Sequence, residues 1–94
     1  MKTIFNDIYK AVEARGLITH DTSKYQFFDK LLEEVEEVNT EIDEGNDIRL
    51  MEELTDVITV CSNMIKHLGG DPIHELEKNL KRNNERALKM ILNR

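Results

Sequence analysis

An all-α chain of four helices is predicted by three observations. Proline occurs once and glycine four times, which leaves little room for the turns of a β fold. The glycines at 16, 45 and 69–70 divide the chain into four segments. Each segment carries apolar residues at helical spacing. At 94 residues, with 39% hydrophobic and 34% charged side chains, the chain fits one small soluble domain rich in amphipathic helix.

The first helix is expected over about 3–15, where Ile4, Ile8 and Val12 recur at i, i+4 and i+8 and Gly16 provides the stop. The second runs from about 24 to 44. Ser23 and Gln26 form an S-x-x-Q capping box at its start, and Gly45 closes it. The third begins after Asn46 or Asp47 and reaches about Leu68 before the Gly69-Gly70 pair. In the fourth, Asp71 is the cap, Pro72 takes the first helical position, and the helix continues to about Ile91 with Leu76, Leu80, Ala87 and Ile91 as its buried stripe. Short connections favour antiparallel neighbours and hence a bundle. The third helix is apolar over more than half its circumference, as expected of the bundle centre, of a subunit interface, or of both. At least a dimer is therefore expected.

A formal charge of -6 argues against a general nucleic-acid binder, which needs a basic surface. No run approaches the ~18 apolar residues of a membrane span, and the N-terminus has no secretory core, so a cytoplasmic location is expected. The single cysteine, Cys61, cannot form an internal disulfide and sits in the apolar run "DVITVCSNMI", which suggests a buried thiol. His67 is expected to favour the C-terminal end of its helix dipole, and His20 and His74 to lie on the surface.

The acidic residues need sorting by helix face. On the second helix Phe27, Leu31, Val35, Val38 and Ile42 share one side, with Glu33 and Glu36 opposite in solvent. Glu34 lies at the edge of the stripe, and Glu37, Glu41 and Lys30 line the same flank. On the third helix Glu53 falls inside the apolar arc and Asp56 just beyond it. One E-x-x-E is weak evidence for anything. Two inward-leaning i, i+3 pairs on consecutive helices are stronger, because converging carboxylates repel unless a cation shares their charge. All-oxygen ligation favours Mg²⁺ or Mn²⁺, while zinc and di-iron sites lack their Cys and His ligands here.

"EEVEE" followed by "EELTD" resembles the E-E-x-x-E … E-x-x-D signature of the MazG-like, all-α nucleoside triphosphate pyrophosphohydrolases. Glu33, Glu34 and Glu37 match its first part and Glu53 and Asp56 its second. "KLLEEVEEV" is similar to the family's K-L-x-E-E-x-x-E-L run, and Asn83 and Arg86 match its N-x-x-R ending. The likeness covers about residues 26–86. It departs at Asn79, where many relatives carry lysine, and in the absence of a tryptophan-rich first segment, which leaves the base and sugar open.

The resemblance implies a four-helix bundle assembled as a homodimer or homotetramer. It implies Mg²⁺-dependent cleavage of a nucleoside triphosphate between the α- and β-phosphates, serving nucleotide-pool house-cleaning. Glu34, Glu37, Glu53 and Asp56 would hold the metal, with one carboxylate accepting a proton from the attacking water. Lys30, Asn83 and Arg86 are the candidate phosphate or sugar contacts, since six of the thirteen lysines and arginines lie between 78 and 94. A phosphoribosyl-ATP pyrophosphohydrolase and a non-catalytic helical module binding nucleotide or a partner protein are the alternatives. Phe27 is expected in the core, with Tyr25 and Phe28 as the remaining aromatics near the carboxylates.

Overall fold

The computed structural model describes residues 3–94. It contains four helices, α1 (Ile4–Ala14), α2 (Lys24–Glu44), α3 (Asp47–His67) and α4 (Pro72–Leu92), and no strand among the described residues. None of the helices is long and apolar enough to cross a membrane.

Local chemistry sets the helix ends. The Ser23 hydroxyl accepts the Gln26 N–H at 3.2 Å, and the Gln26 side chain accepts the Ser23 N–H at 2.7 Å, so the capping box is reciprocal. Gly45 ends α2 in the left-handed region at φ 71, where a β-carbon would be strained. Asn46 then caps α3 by accepting the Arg49 N–H at 3.1 Å. Asp71 accepts the Ile73 N–H at 3.0 Å, with Pro72 buried behind it.

α2 and α3 form the principal pairing, and α3 also contacts α1 and α4, so α3 is the central helix. The two residues between α2 and α3 return the chain as an antiparallel hairpin. Its seam follows the 4-3 spacing of a coiled coil: Phe27, Leu31, Glu34, Val38 and Glu41 on α2, and Leu50, Glu53, Val57, Val60, Met64 and His67 on α3, all buried or half-buried. α1 crosses one side of the hairpin. Lys66 Nζ donates to Asn6, and the His67 ring joins three segments. His67 Nε2 meets the Thr22 carbonyl and its Nδ1 lies 3.3 Å from the Tyr9 hydroxyl. A carbonyl only accepts, so Nε2 carries the proton and Nδ1 accepts from Tyr9. His67 thus ties α1, the loop before α2 and α3 together, a larger part than favouring a helix dipole.

Three expectations are corrected. Val35 and Ile42 are 47% and 58% exposed, because the α2 seam is rotated toward Glu34 and Glu41. Cys61 is exposed, because it sits one position past the seam residue Val60. The α4 stripe of Leu76, Leu80, Ala87 and Ile91 is exposed as well. α4 leaves the body after Pro72, and its principal contact is a slight one with α3. The radius of gyration is accordingly 16.2 Å, against about 12 Å for a closed domain of this length.

Candidate metal centre

Seam geometry brings the two acidic pairs together. Glu34 lies in the α2 seam with Glu37 one turn later, and Glu53 lies in the α3 seam with Asp56 one turn later. One carboxylate oxygen from each of the four falls within 4.8 Å of the others. Burial is graded across the cluster: Glu34 is 6% exposed, Glu53 half-buried, and Glu37 and Asp56 open to solvent. Glu33 and Glu36 are exposed and outside the cluster, as their helix face requires.

The electrostatics are those of crowded like charges. Glu37 is raised to about 7, chiefly by hydrogen bonding with the Glu53 carboxyl and then by the Glu34 charge. Burial raises Asp56, with Glu34 and Glu53 adding to it and Lys30 opposing it. Lys30 Nζ sits 3.0 Å from Glu34 and 3.5 Å from Glu33. The Glu34 hydrogen bond raises the lysine in turn. This single cation covers one oxygen of Glu34. Glu34 Oε2 and Glu53 Oε2 remain buried without a hydrogen-bond partner. Unsatisfied buried carboxylate oxygens call for a donor or a cation.

A hard divalent ion fits this donor set. At metal–oxygen distances of about 2.1 Å, adjacent ligands of an octahedral Mg²⁺ lie about 3 Å apart and opposed ones about 4.2 Å, so oxygens already within 4.8 Å of one another need side-chain adjustments of roughly an ångström. An ion held here would be bound through oxygen alone, with two ligands on each of two packed helices.

The cluster stands at one end of a cleft of about 450 Å³ between α1, the following loop, α2 and α3. Lys30, Glu34 and Asp56 line its acidic end, and Ile18, Phe27 and Val60 line an apolar part. Asn63, which the sequence reading did not single out, also lines it at 3% exposure, with Oδ1 unpartnered. Its signal was available: an amide inside an apolar run, seven residues past Asp56 and on the same helix face.

Asn83 and Arg86 do not join this cleft within one chain. Both are exposed on α4, where Asn83 donates to the Asn79 side chain at 2.8 Å. Tyr25 and Phe28 are exposed, and Phe27 is buried with its ring 5.0 Å from that of His67. Comparison with protein-family models, with curated proteins and with solved structures returns no match. The chemistry of the site therefore has to be judged from its own residues.

Proposed function

We propose that this chain is a Mg²⁺-dependent nucleoside triphosphate pyrophosphohydrolase that cleaves between the α- and β-phosphates and serves nucleotide-pool house-cleaning. The observation that carries the reading is the convergence of an E-x-x-E and an E-x-x-D pair within 4.8 Å at one end of a ligand-sized cleft. A bound Mg²⁺ or Mn²⁺ would offset triphosphate charge and supply Lewis acidity. Glu34 and Glu53 are the rigid ligands, fixed in the seam. Glu37 and Asp56 are the open ones, accessible to an incoming phosphate. Lys30 stands beside them as the cation for a phosphate oxygen once Glu34 is otherwise engaged.

The test is turnover. Purified protein with Mg²⁺ and a panel of canonical and modified nucleoside triphosphates should release pyrophosphate, and chelation should stop it. Release of orthophosphate alone, or none that depends on metal, would refute α–β cleavage.

Assembly belongs to the same reading. In an antiparallel hairpin the residues one step past each seam position face the same side, opposite to the side α1 covers here. The large apolar residues exposed there are Phe28, Leu32, Val35 and Ile42 on α2 and Met51, Leu54, Ile58 and Leu68 on α3. Together they offer on the order of 700 Å² of apolar surface, near the ~800 Å² each partner contributes to a stable interface. A second copy of this chain fits that face, because a hairpin with the same 3-4 spacing completes a bundle. Sedimentation should give a dimer or tetramer for the wild type, and a smaller species with intact helicity for Ile58→Asp. A stable wild-type monomer at micromolar concentration would count against it. Asn83 and Arg86 act on phosphate in this picture only if α4 closes over a cleft, its own or a neighbour's. Arg86→Ala should then raise KM.

A further inference from the structure

We propose that Asn63 is the nucleobase reader of the cleft, its carboxamide hydrogen-bonding the polar edge of a base seated on the apolar wall. The orientation rests on the reading above, with phosphates at the acidic end. The site itself rests on independent observations. Asn63 is 3% exposed, lines the cleft, and its Oδ1 has no hydrogen-bond partner. A buried amide oxygen left without a donor is costly in a helix that has apolar residues to spare, so a ligand N–H is the natural occupant. Ile18, Phe27 and Val60 form the apolar lining that a flat heteroaromatic ring requires.

Spacing gives the register. Asp56, Thr59 and Asn63 fall at i, i+3 and i+7 on one face of α3, and all three line the cleft. Seven residues place Asn63 about 10 Å along the axis from Asp56, a distance that a nucleoside spans. Thr59 lies between them, level with the sugar. A carboxamide offers an acceptor beside a donor, matching the paired donor and acceptor of a Watson–Crick edge. The ligand class is therefore a nucleoside carrying such an edge, with phosphates running toward Glu34 and Asp56.

The experiment uses the full chain and three ligand types: nucleosides without metal, nucleoside triphosphates with Mg²⁺, and inorganic tripolyphosphate, which has no base. Binding is followed by NMR shifts at Ile18, Val60 and residue 63. Asn63→Leu should weaken nucleoside binding and raise KM on the order of tenfold, with kcat and tripolyphosphate inhibition little changed. Asn63→Asp keeps the size but offers only acceptors. It should shift preference toward guanine-type edges, whose N1–H and amino group are adjacent donors, and away from edges that set an acceptor beside a donor, a change that a merely structural role does not produce.

Equal weakening of nucleosides and tripolyphosphate by both variants would overturn the inference, as would wild-type protein that takes up no nucleoside. Pyrophosphate release in that last case leaves the hydrolase reading standing. Conversely, nucleoside binding that depends on Asn63, without hydrolysis of any triphosphate, supports the base site and removes the hydrolase reading alone.

Discussion

Glu34→Leu is the most informative single change, because it sets the seam against the site. Glu34 occupies a position where a coiled-coil seam wants a branched apolar side chain, and it is 6% exposed with one oxygen unpartnered. Leucine there would gain about 1.5–3 kcal/mol of burial. Removing a buried carboxylate that lacks a full set of partners also removes its desolvation cost. Lys30 loses its partner at little cost, since half its side chain is already in water. The repulsion on Glu37 and Asp56 also falls. In EDTA the variant is therefore expected to be about 1–3 kcal/mol more stable than wild type. For a domain of this size that is a rise of about 4–8 °C in Tm per kcal/mol. If the proposed metal site is right, saturating Mg²⁺ should reverse the comparison. At a hundred times Kd, wild type gains about 2.7 kcal/mol by linkage, and the variant should gain little of it. Urea unfolding followed by circular dichroism, with and without metal and at one fixed protein concentration, measures both arms. If Glu34→Leu is less stable than wild type in EDTA, Glu34 is a structural residue and the argument from its unsatisfied oxygen fails.

Three further outcomes are expected. Glu37→Gln and Asp56→Asn should each lower pyrophosphate release by more than the ~10–100-fold typical of losing an outer partner of a metal ligand, with helicity intact, whereas Glu33→Gln and Glu36→Gln should be mild. Equal damage from the outer pair would show that the helix faces are misassigned. Metal-free stability should fall as pH rises. Glu37 is raised to about 7 from 4.5, so the folded state holds a proton that the unfolded state has lost. The contribution is full below about 4.5 and gone above about 7, so Tm in EDTA should be higher at pH 5 than at pH 8, and Mg²⁺ should flatten the difference; a rise with pH in EDTA would contradict the crowding. Gly45→Ala should cost about 1 kcal/mol in urea unfolding, since a β-carbon there meets no atom within 4 Å and only the φ of 71 is strained. A cost several times larger would show that the turn carries more than backbone geometry.

The helix ends were legible because each is fixed by a few adjacent residues. Ser23 with Gln26, Gly45, and Asp71-Pro72 act locally, and α2 and α4 begin where those residues place them. The inward face of α2 was not legible. Apolar spacing favoured Phe27, Leu31, Val35, Val38 and Ile42. α2 in fact carries two adjacent stripes, and the one facing α3 is the stripe that contains Glu34 and Glu41. Counting apolar residues places Phe27, Leu31 and Val38 correctly but takes Val35 and Ile42, which face outward, in place of Glu34 and Glu41. The same reasoning buried Cys61, one step off the seam. Glu34, Glu37, Glu53 and Asp56 nonetheless converge as expected, because i, i+3 pairs on neighbouring helices stay neighbours through a modest rotation. Asn63 was passed over because a lone amide in an apolar run carries no motif. Only the cleft gives it meaning.

Every buried side-chain oxygen without a partner among the described residues belongs to α2 or α3: Glu34, Glu41, Glu53 and Asn63. Three of the four border the cluster or the cleft, and Glu41, one turn beyond Glu37, has no role in either. A hairpin selected for stability alone would fill such positions with leucine, as it does at Leu31 and Leu50. The unsatisfied atoms concentrate where a cation and a ligand would satisfy them, and that coincidence is what separates this cluster from a merely acidic surface. α3 makes the concentration tolerable by dividing its circumference. One face closes the seam with α2, the next carries Asp56, Thr59 and Asn63 along the cleft, and the third holds Met51, Leu54 and Ile58 outward. Because these faces are about 100° apart, a charge introduced at Ile58 would act on the outward face, where the proposed association takes place, whereas one introduced at Val57 would act on the seam that holds the carboxylates.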